Sequence, residues 1–235
     1  MRFGIISAGE GSRLASEGFS QPKPLVPVCG TPMIERLIRI MSDCGAESVA
    51  VIINGENPET MALLNSLAQE ISIDLVVRKT PTPMHSMMEL APYLDGDRFC
   101  VTTVDTVFSA SLFRSMMDEF TRTPYDGLMG VTQLIDDEKP LYVDADKDMM
   151  IKGFHDSEDG CRYVSAGIYA LKAQALEVLK GCVDSGHTRM RYFQRQLLEA
   201  GFRLKAFDMG QVVDVDHISD VERAQKIAAI CDSWE

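Results

Sequence analysis

Apolar positions along this chain follow two rhythms. Short unbroken runs at Phe3-Gly4-Ile5-Ile6, Val49 to Ile53, Ile73 to Val77 and Phe99 to Val104 read as strands buried on both faces. Elsewhere apolar residues recur every three or four positions. Met33, Leu37, Ile38 and Met41 do so, which marks a helix with one apolar face. The predicted elements are a strand over 2–7, a helix opening at Pro32 with Thr31 as N-cap and ending near Gly45, and a strand over 48–53. A helix over 58–70, a strand over 73–77, a short helix from Ser86 to Leu90 and a strand over 99–104 follow. Strand and helix alternate throughout, the pattern of an open parallel sheet.

Past residue 105 the rhythm changes. Residues 110–121 read as a helix, and strand signals then crowd together over 127–133, 141–144, 150–154 and 163–171. Helices are predicted over 173–181 and 190–200, short strands over 204–207 and 212–215, and a last helix over 218–230. This implies an α/β fold with a mostly parallel, mixed central sheet. One domain is expected, in three parts: 1–124, 125–205 and 206–235. Residues 8–30 lack either rhythm and read as one long loop, a length that usually carries function.

Composition narrows the classes. With 46% hydrophobic residues among 235, the chain can bury one sizeable core. A net charge of −12 argues against nucleic acid as a partner while leaving room for a locally basic pocket. The six cysteines show no C-x-x-C or zinc spacing and read as buried free thiols of a cytoplasmic protein. No run approaches the ~18 apolar residues of a membrane span, and no leader pattern opens the chain, so no membrane partner is expected.

The chemistry concentrates in the long loop. Ala8-Gly9-Glu10-Gly11-Ser12-Arg13-Leu14 follows the first strand directly, and Lys23 stands between Pro22 and Pro24 ten residues after Arg13. Bare backbone amides followed by two fixed cations suit a triphosphate. A dinucleotide fingerprint needs a third glycine opening a helix, and a Walker loop needs Gly-Lys-Ser/Thr at its end; Gly30-Thr31-Pro32 supplies neither. Three carboxylates stand at strand ends downstream. Asp105 closes the strand ending at Val104, where ligands of open sheets bind. Asp214 and Asp216, two apart in a predicted strand, share a face and need a cation beside them.

Taken together, Gly9-x-Gly11-Ser12-Arg13 and Pro22-Lys23-Pro24-Leu25-x-Pro27-Val28-x-Gly30-Thr31-Pro32-Met33 resemble the nucleotidyltransferase superfamily that makes nucleotide-sugars and related activated head groups. The resemblance is dense over residues 4–38, with Ser7 standing where the family often has alanine. It implies a glycosyltransferase-A-like three-layer sandwich, with 1–124 as the nucleotide-binding part, 125–205 as an acceptor-binding extension and 206–235 as a metal-binding strand and C-terminal helix. It also implies Mg²⁺-dependent transfer of a nucleotide from an NTP to a phosphorylated acceptor, with pyrophosphate released. On that resemblance Ala8, Gly9, Gly11 and Ser12 surround the phosphates, Arg13 neutralises the leaving pyrophosphate and Lys23 contacts the α-phosphate. Asp105, Asp214 and Asp216 are the metal ligands it implies, Asp216 being equally suited to turn or capping chemistry. Ser86 reads as a group for the base or as a plain helix cap. Gly167 reads as the place where an acceptor approaches or as a bulge glycine, and Lys152 as a loosely matched contact to the acceptor phosphate. Arg189, Arg191 and Arg195 are spaced to gather phosphate or to solvate a helix. A sugar 1-phosphate is the expected acceptor. A cytidylyltransferase for a phosphocholine-like head group and a non-catalytic nucleotide-binding subunit are the alternatives, and molybdenum-cofactor and isoprenoid enzymes fit the Pro-Lys-Pro-Leu pattern less well.

Overall fold

A computed structural model describes residues 1–134 and 139–231. In chain order the elements are β1 Arg2–Ser7, α1 Ser12–Ser16, a 3₁₀ turn Lys23–Leu25, β2 Pro27–Val28, β3 Thr31–Pro32, α2 Met33–Asp43, β4 Val49–Ile53, α3 Pro58–Leu67 and β5 Ile73–Val77. Next come α4 Pro83–Leu90, β6 Arg98–Thr103, β7 Thr106–Val107, α5 Ala110–Arg122, β8 Gly127–Thr132, β9 Tyr142–Ala145 and β10 Ile151–His155. The remainder is β11 Tyr163–Lys172, α6 Ala175–Asp184, α7 Met190–Glu199, β12 Leu204–Asp208, β13 Val213–Asp214 and α8 Ile218–Cys231.

The main sheet runs β12-β8-β11-β6-β1-β4-β5, with the β9–β10 hairpin branching from β11. Pairings β1–β4, β1–β6, β4–β5 and β8–β12 are parallel, whereas β11 runs antiparallel to both β6 and β8. The sheet is therefore mostly parallel and mixed, as the alternating pattern predicts. Two layers of helix cover it. Phe3 and Ile5 of β1 face α2, α3 and α5, while Ile6 faces α4 in the same cluster that buries α6 and α7. This two-sided burial is why the parallel strands read as unbroken apolar runs rather than alternating ones. A third, smaller cluster unites Leu14, Val26, Val28 and Met33 with Val213, Val215, Ala224 and Ala228, tying the glycine-loop region to α8.

Several expectations need correction. The stretch 8–30 is not a bare loop: it holds α1, the 3₁₀ turn and the β2 strand. Thr31 pairs with Val28 in the β2–β3 ladder, so it does not cap α2, which opens after Pro32 without a side-chain cap. The fourth helix starts at Pro83, three residues before Ser86. β13 stops at Asp214, because the Asp216 N–H turns back to the Asp214 carbonyl at 3.1 Å. The five cysteines whose side chains are described are free but not uniformly buried: Cys100 and Cys182 are buried, Cys44 and Cys161 half-buried, and Cys29 exposed, while the side chain of Cys231 lies outside the described residues.

Candidate active site

β1 neighbours β4 on one side and β6 on the other, and the chain departs in opposite directions from those two strands. A crevice opens beyond the carboxyl ends of strands at such a switch point. The glycine loop leaves β1 into this crevice. Gly11 adopts φ +63°, and a Cβ there would lie 2.9 Å from Lys23 Cβ, so the missing side chain is the space through which Lys23 passes. Gly9 differs: nothing lies within 4 Å of a Cβ built on it, and its bareness faces the open cleft.

Lys23 stands in the 3₁₀ turn between two prolines, with Pro24 buried. Its Nζ lies 2.5 Å from Asp105 Oδ2 and 2.7 Å from Asp216 Oδ1. Arg13 completes the group, its guanidinium 2.6 Å from Asp216 Oδ2. Burial works against the Lys23 ammonium, but the charge of Asp105 and the bonds to both carboxylates outweigh it, leaving its pKa above the ordinary lysine value. Burial likewise pushes the Asp216 carboxyl up, and Lys23 and Arg13 more than reverse this, holding it below the ordinary range.

Asp105 and Asp214 are brought together by backbone. Thr106 pairs with Asp214 in the β7–β13 ladder, and the Val215 N–H donates to the Asp105 carbonyl at 3.0 Å. Asp214 is open to solvent on its outer side and crowded by protein on the others. Its carboxyl is pushed up to about 7, by burial first and then by the charge of Asp105, with a hydrogen bond from Thr106 opposing. Two carboxylates held in mutual repulsion are a donor set that a hard divalent cation relieves. Mg²⁺, which takes one or two carboxylates and fills the rest of its shell with water and phosphate, fits that chemistry. Among the described residues no group of three or more His, Cys, Asp or Glu side chains is arranged to hold a metal ion, because Asp216 is turned to Arg13 and Lys23.

On the other side of Asp214 lies a cleft of about 600 Å³, lined by Arg13, Thr82, Thr103, Gly167, Tyr169 and Arg189 among others. Gly167 adopts φ +70° where β11 shifts register against β8, between Ser165 and Tyr169. The register shift makes it a bulge glycine, and it lines the cleft. Ala8 is buried at the end of β1, and Ser12 is exposed in the first turn of α1. Ser86 is buried and its hydroxyl lies 2.6 Å from Thr80 Oγ1, within its own loop. Lys152 is not brought to the cleft; it pairs with Asp146 at 2.8 Å on the exposed β10 strand. Arg191 and Arg195 both pair with Asp156, at 2.5 and 2.9 Å, and Arg189 and Arg191 both line the cleft.

Sequence reasoning missed two contributors. Asn54, just past β4, donates to the Gly9 carbonyl at 3.4 Å; the Asn54-Gly55 turn signal after an apolar run marks its position. Glu17, just past α1, accepts from the Ile218 N–H at 2.8 Å, and no local pattern connects residues 201 positions apart.

A crevice with a glycine loop, two converging cations and paired carboxylates defines a nucleotide-binding α/β protein. The chain belongs to the family of MobA-like NTP transferase domains, whose model matches residues 4–181. It is 22% identical over 224 residues to the bifunctional protein GlmU of Methanococcus maripaludis, covering 92% of this chain and 52% of that protein. It is 26% identical over 237 residues to the bifunctional IPC transferase and DIPP synthase of Rubrobacter xylanophilus, covering 95% and 51%. The chain thus spans about half the length of these curated relatives. A shorter match, 43% identity over 49 residues, joins it to the 2-aminoethylphosphonate cytidylyltransferase of Lancefieldella rimae, covering 21% of this chain and 20% of that protein. Its fold is that of the inositol-1-phosphate CTP transferase from T. maritima, with TM-score 0.79 at 19% identity and coverage of 97% and 96%. It is also that of a UDP-glucose pyrophosphorylase, with TM-score 0.80 at 14% identity and coverage of 97% and 98%. The expected three-layer nucleotidyltransferase sandwich is the fold found. Among the described residues no helix is long and apolar enough to cross a membrane.

Proposed function

We propose that this protein transfers a nucleoside monophosphate from an NTP to a phosphorylated acceptor, a sugar 1-phosphate first, and releases pyrophosphate. The observation that carries the reading is the convergence of Arg13 and Lys23 on Asp105 and Asp216 at the carboxyl end of β1. Four charges gathered there are placed to exchange partners with phosphate oxygens and a counter-cation. The acceptor phosphate attacks the α-phosphorus in line; it is ionised at neutral pH and needs no protein base. Arg13 neutralises the departing pyrophosphate and Lys23 the α-phosphate, fixed charges aimed where negative charge builds up. Gly9 and Gly11 present backbone amides to the outer phosphates, and Gly167 opens the acceptor cleft. Asp105 and Asp214, with Asp216 in reach, would hold Mg²⁺, which would supply neutralisation of phosphate charge.

A second acceptor class has its own support. Two of the similar proteins bear names for CTP or cytidylyl transfer, to inositol 1-phosphate and to 2-aminoethylphosphonate. The test is pyrophosphate release with Mg²⁺ across four NTPs against sugar 1-phosphates, inositol 1-phosphate, phosphocholine and 2-aminoethylphosphonate. Turnover with one sugar 1-phosphate supports the first reading, and CTP-restricted turnover with a head-group acceptor supports the second. No turnover with any pair, together with unchanged NTP binding in Asp105→Ala, refutes both and leaves a non-catalytic nucleotide-binding subunit.

A further inference from the structure

The glycine-loop helix and the acidic turn are joined twice. Arg13 and Glu17 stand one helical turn apart on α1 and its C-cap, so they project on the same side. Arg13 bonds Asp216 at 2.6 Å. Glu17 bonds the next two residues: Oε1 lies 2.5 Å from His217 Nδ1, and Oε2 accepts from the Ile218 N–H at 2.8 Å. Ile218 opens α8, and an orphan donor at that helix start is satisfied from another element. Asp220, itself buried, seats the same turn from the other side by accepting from the Asp216 and His217 N–H groups at 3.0 and 2.7 Å.

These bonds differ in what a substrate does to them. On the function proposed above, a triphosphate claims Arg13 and Lys23, so every bond they make to Asp216 is exchanged. Glu17 itself lines none of the cleft walls; its partner His217 lines the pocket beside Asp214 and Asp216, whereas the bond to the Ile218 N–H lies off that lining, away from where a substrate would compete. We infer that Glu17 is a positioning residue: it holds α1 in register with the Asp214–Asp216 turn while Arg13 and Lys23 change partners. It touches no substrate and acts through the placement of Arg13 and Asp216.

Two measurements test this. In turnover with the best NTP and acceptor pair, Glu17→Ala is expected to lower kcat about tenfold or more, with the thermal midpoint within a few degrees of wild type. Glu17→Gln, which keeps an oxygen for the Ile218 N–H, is expected to recover most of the loss. A kcat within twofold of wild type in Glu17→Ala overturns the inference. So does a loss of activity in Glu17→Ala that merely tracks a large fall in midpoint and is equal in Glu17→Gln. The second measurement stands apart from the activity itself: hydrogen exchange at the Ile218 amide with and without inorganic tripolyphosphate. Protection kept in wild type on adding tripolyphosphate and lost in Glu17→Ala supports the latch, even if no acceptor pair turns over. Protection lost in wild type on adding tripolyphosphate overturns it.

Discussion

Gly9 and Gly11 look alike in sequence, yet the structure assigns them different work, and substituting each by alanine separates the two. At Gly11 an alanine meets two obstacles. The backbone is left-handed at φ +63°, which costs a residue with a Cβ about 1–2 kcal/mol. The new Cβ would also sit 2.9 Å from Lys23 Cβ, a backbone-proximal atom with little freedom to withdraw because Pro22 and Pro24 flank it; crowding of this kind costs about 1–2 kcal/mol more. The sum is about 3 kcal/mol, and at about 2–4 °C per kcal/mol for a chain of this size the thermal midpoint falls by about 6–12 °C. Gly9→Ala meets no atom within 4 Å and no positive φ, so its midpoint stays within about 2 °C of wild type. Its methyl instead occupies the open side of the loop, where phosphate oxygens would approach the backbone, and NTP affinity falls about tenfold or more. The assay pairs thermal or urea unfolding with calorimetric titration of an NTP. A Gly11→Ala variant with wild-type midpoint refutes the account of how Lys23 passes the loop. A Gly9→Ala variant with wild-type midpoint and wild-type NTP affinity refutes the account of the loop as a phosphate cradle.

Three further outcomes are expected. Lys23→Met leaves Asp105 and Asp216 without their shared cation, lowering stability at pH 7 by about 2 kcal/mol; millimolar Mg²⁺ then raises the midpoint of this variant more than that of wild type, and equal shifts refute the carboxylate site. Asp126 is held below the ordinary carboxyl range: burial opposes this, but the Arg203 N–H and Lys172 Nζ, both at 2.9 Å, prevail. Its contribution is therefore full above about pH 4 and is lost as pH falls through its lowered value, so Asp126→Asn is less stable than wild type at pH 7 and converges with it on acidification, as unfolding curves at several pH values will show. In thiol titration of the native protein Cys29 reacts first, whereas Cys100, buried and with its thiol pushed far up, reacts only on unfolding; simultaneous reaction of the two contradicts the packing.

What was legible in the sequence was what short-range pattern encodes. Buried on both faces, β1, β4 and β6 wrote themselves as apolar runs, and α2 as a single apolar stripe. Arg13 and Lys23 could be named from the glycine-loop motif, and Asp105, Asp214 and Asp216 because each stands at or just past a strand end. Their mutual arrangement could not. That Asp216 turns to the two cations while Asp214 stays beside Asp105 depends on one i to i+2 backbone bond after β13, which alternation along a strand does not foresee. The helix α1 was invisible because five residues carry too little periodicity, and it is anchored by Leu14 in a cluster built mostly from elsewhere. Ser86 was misplaced relative to its helix because Pro83 opens that helix with no side-chain cap after Thr82 to mark it.

The third hydrophobic cluster has a consequence for the order in which this protein becomes itself. Its members come from residues 14–33, from Val107, and from residues 213–228, so it can close only when segments about two hundred positions apart meet. The main sheet does not wait for that: β1, β4, β5 and β6 can pair once residue 103 exists. On the ribosome, where synthesis adds about 5–20 residues per second, these parallel strands are all made roughly ten seconds before α8 emerges. During that interval Arg13 and Lys23 lack Asp216, and the glycine-loop region has Asn54 and Asp105 as partners but not the Glu17 bond to Ile218. The β strands around β1 can therefore be made while the glycine-loop region still lacks α8, the partner that completes its packing.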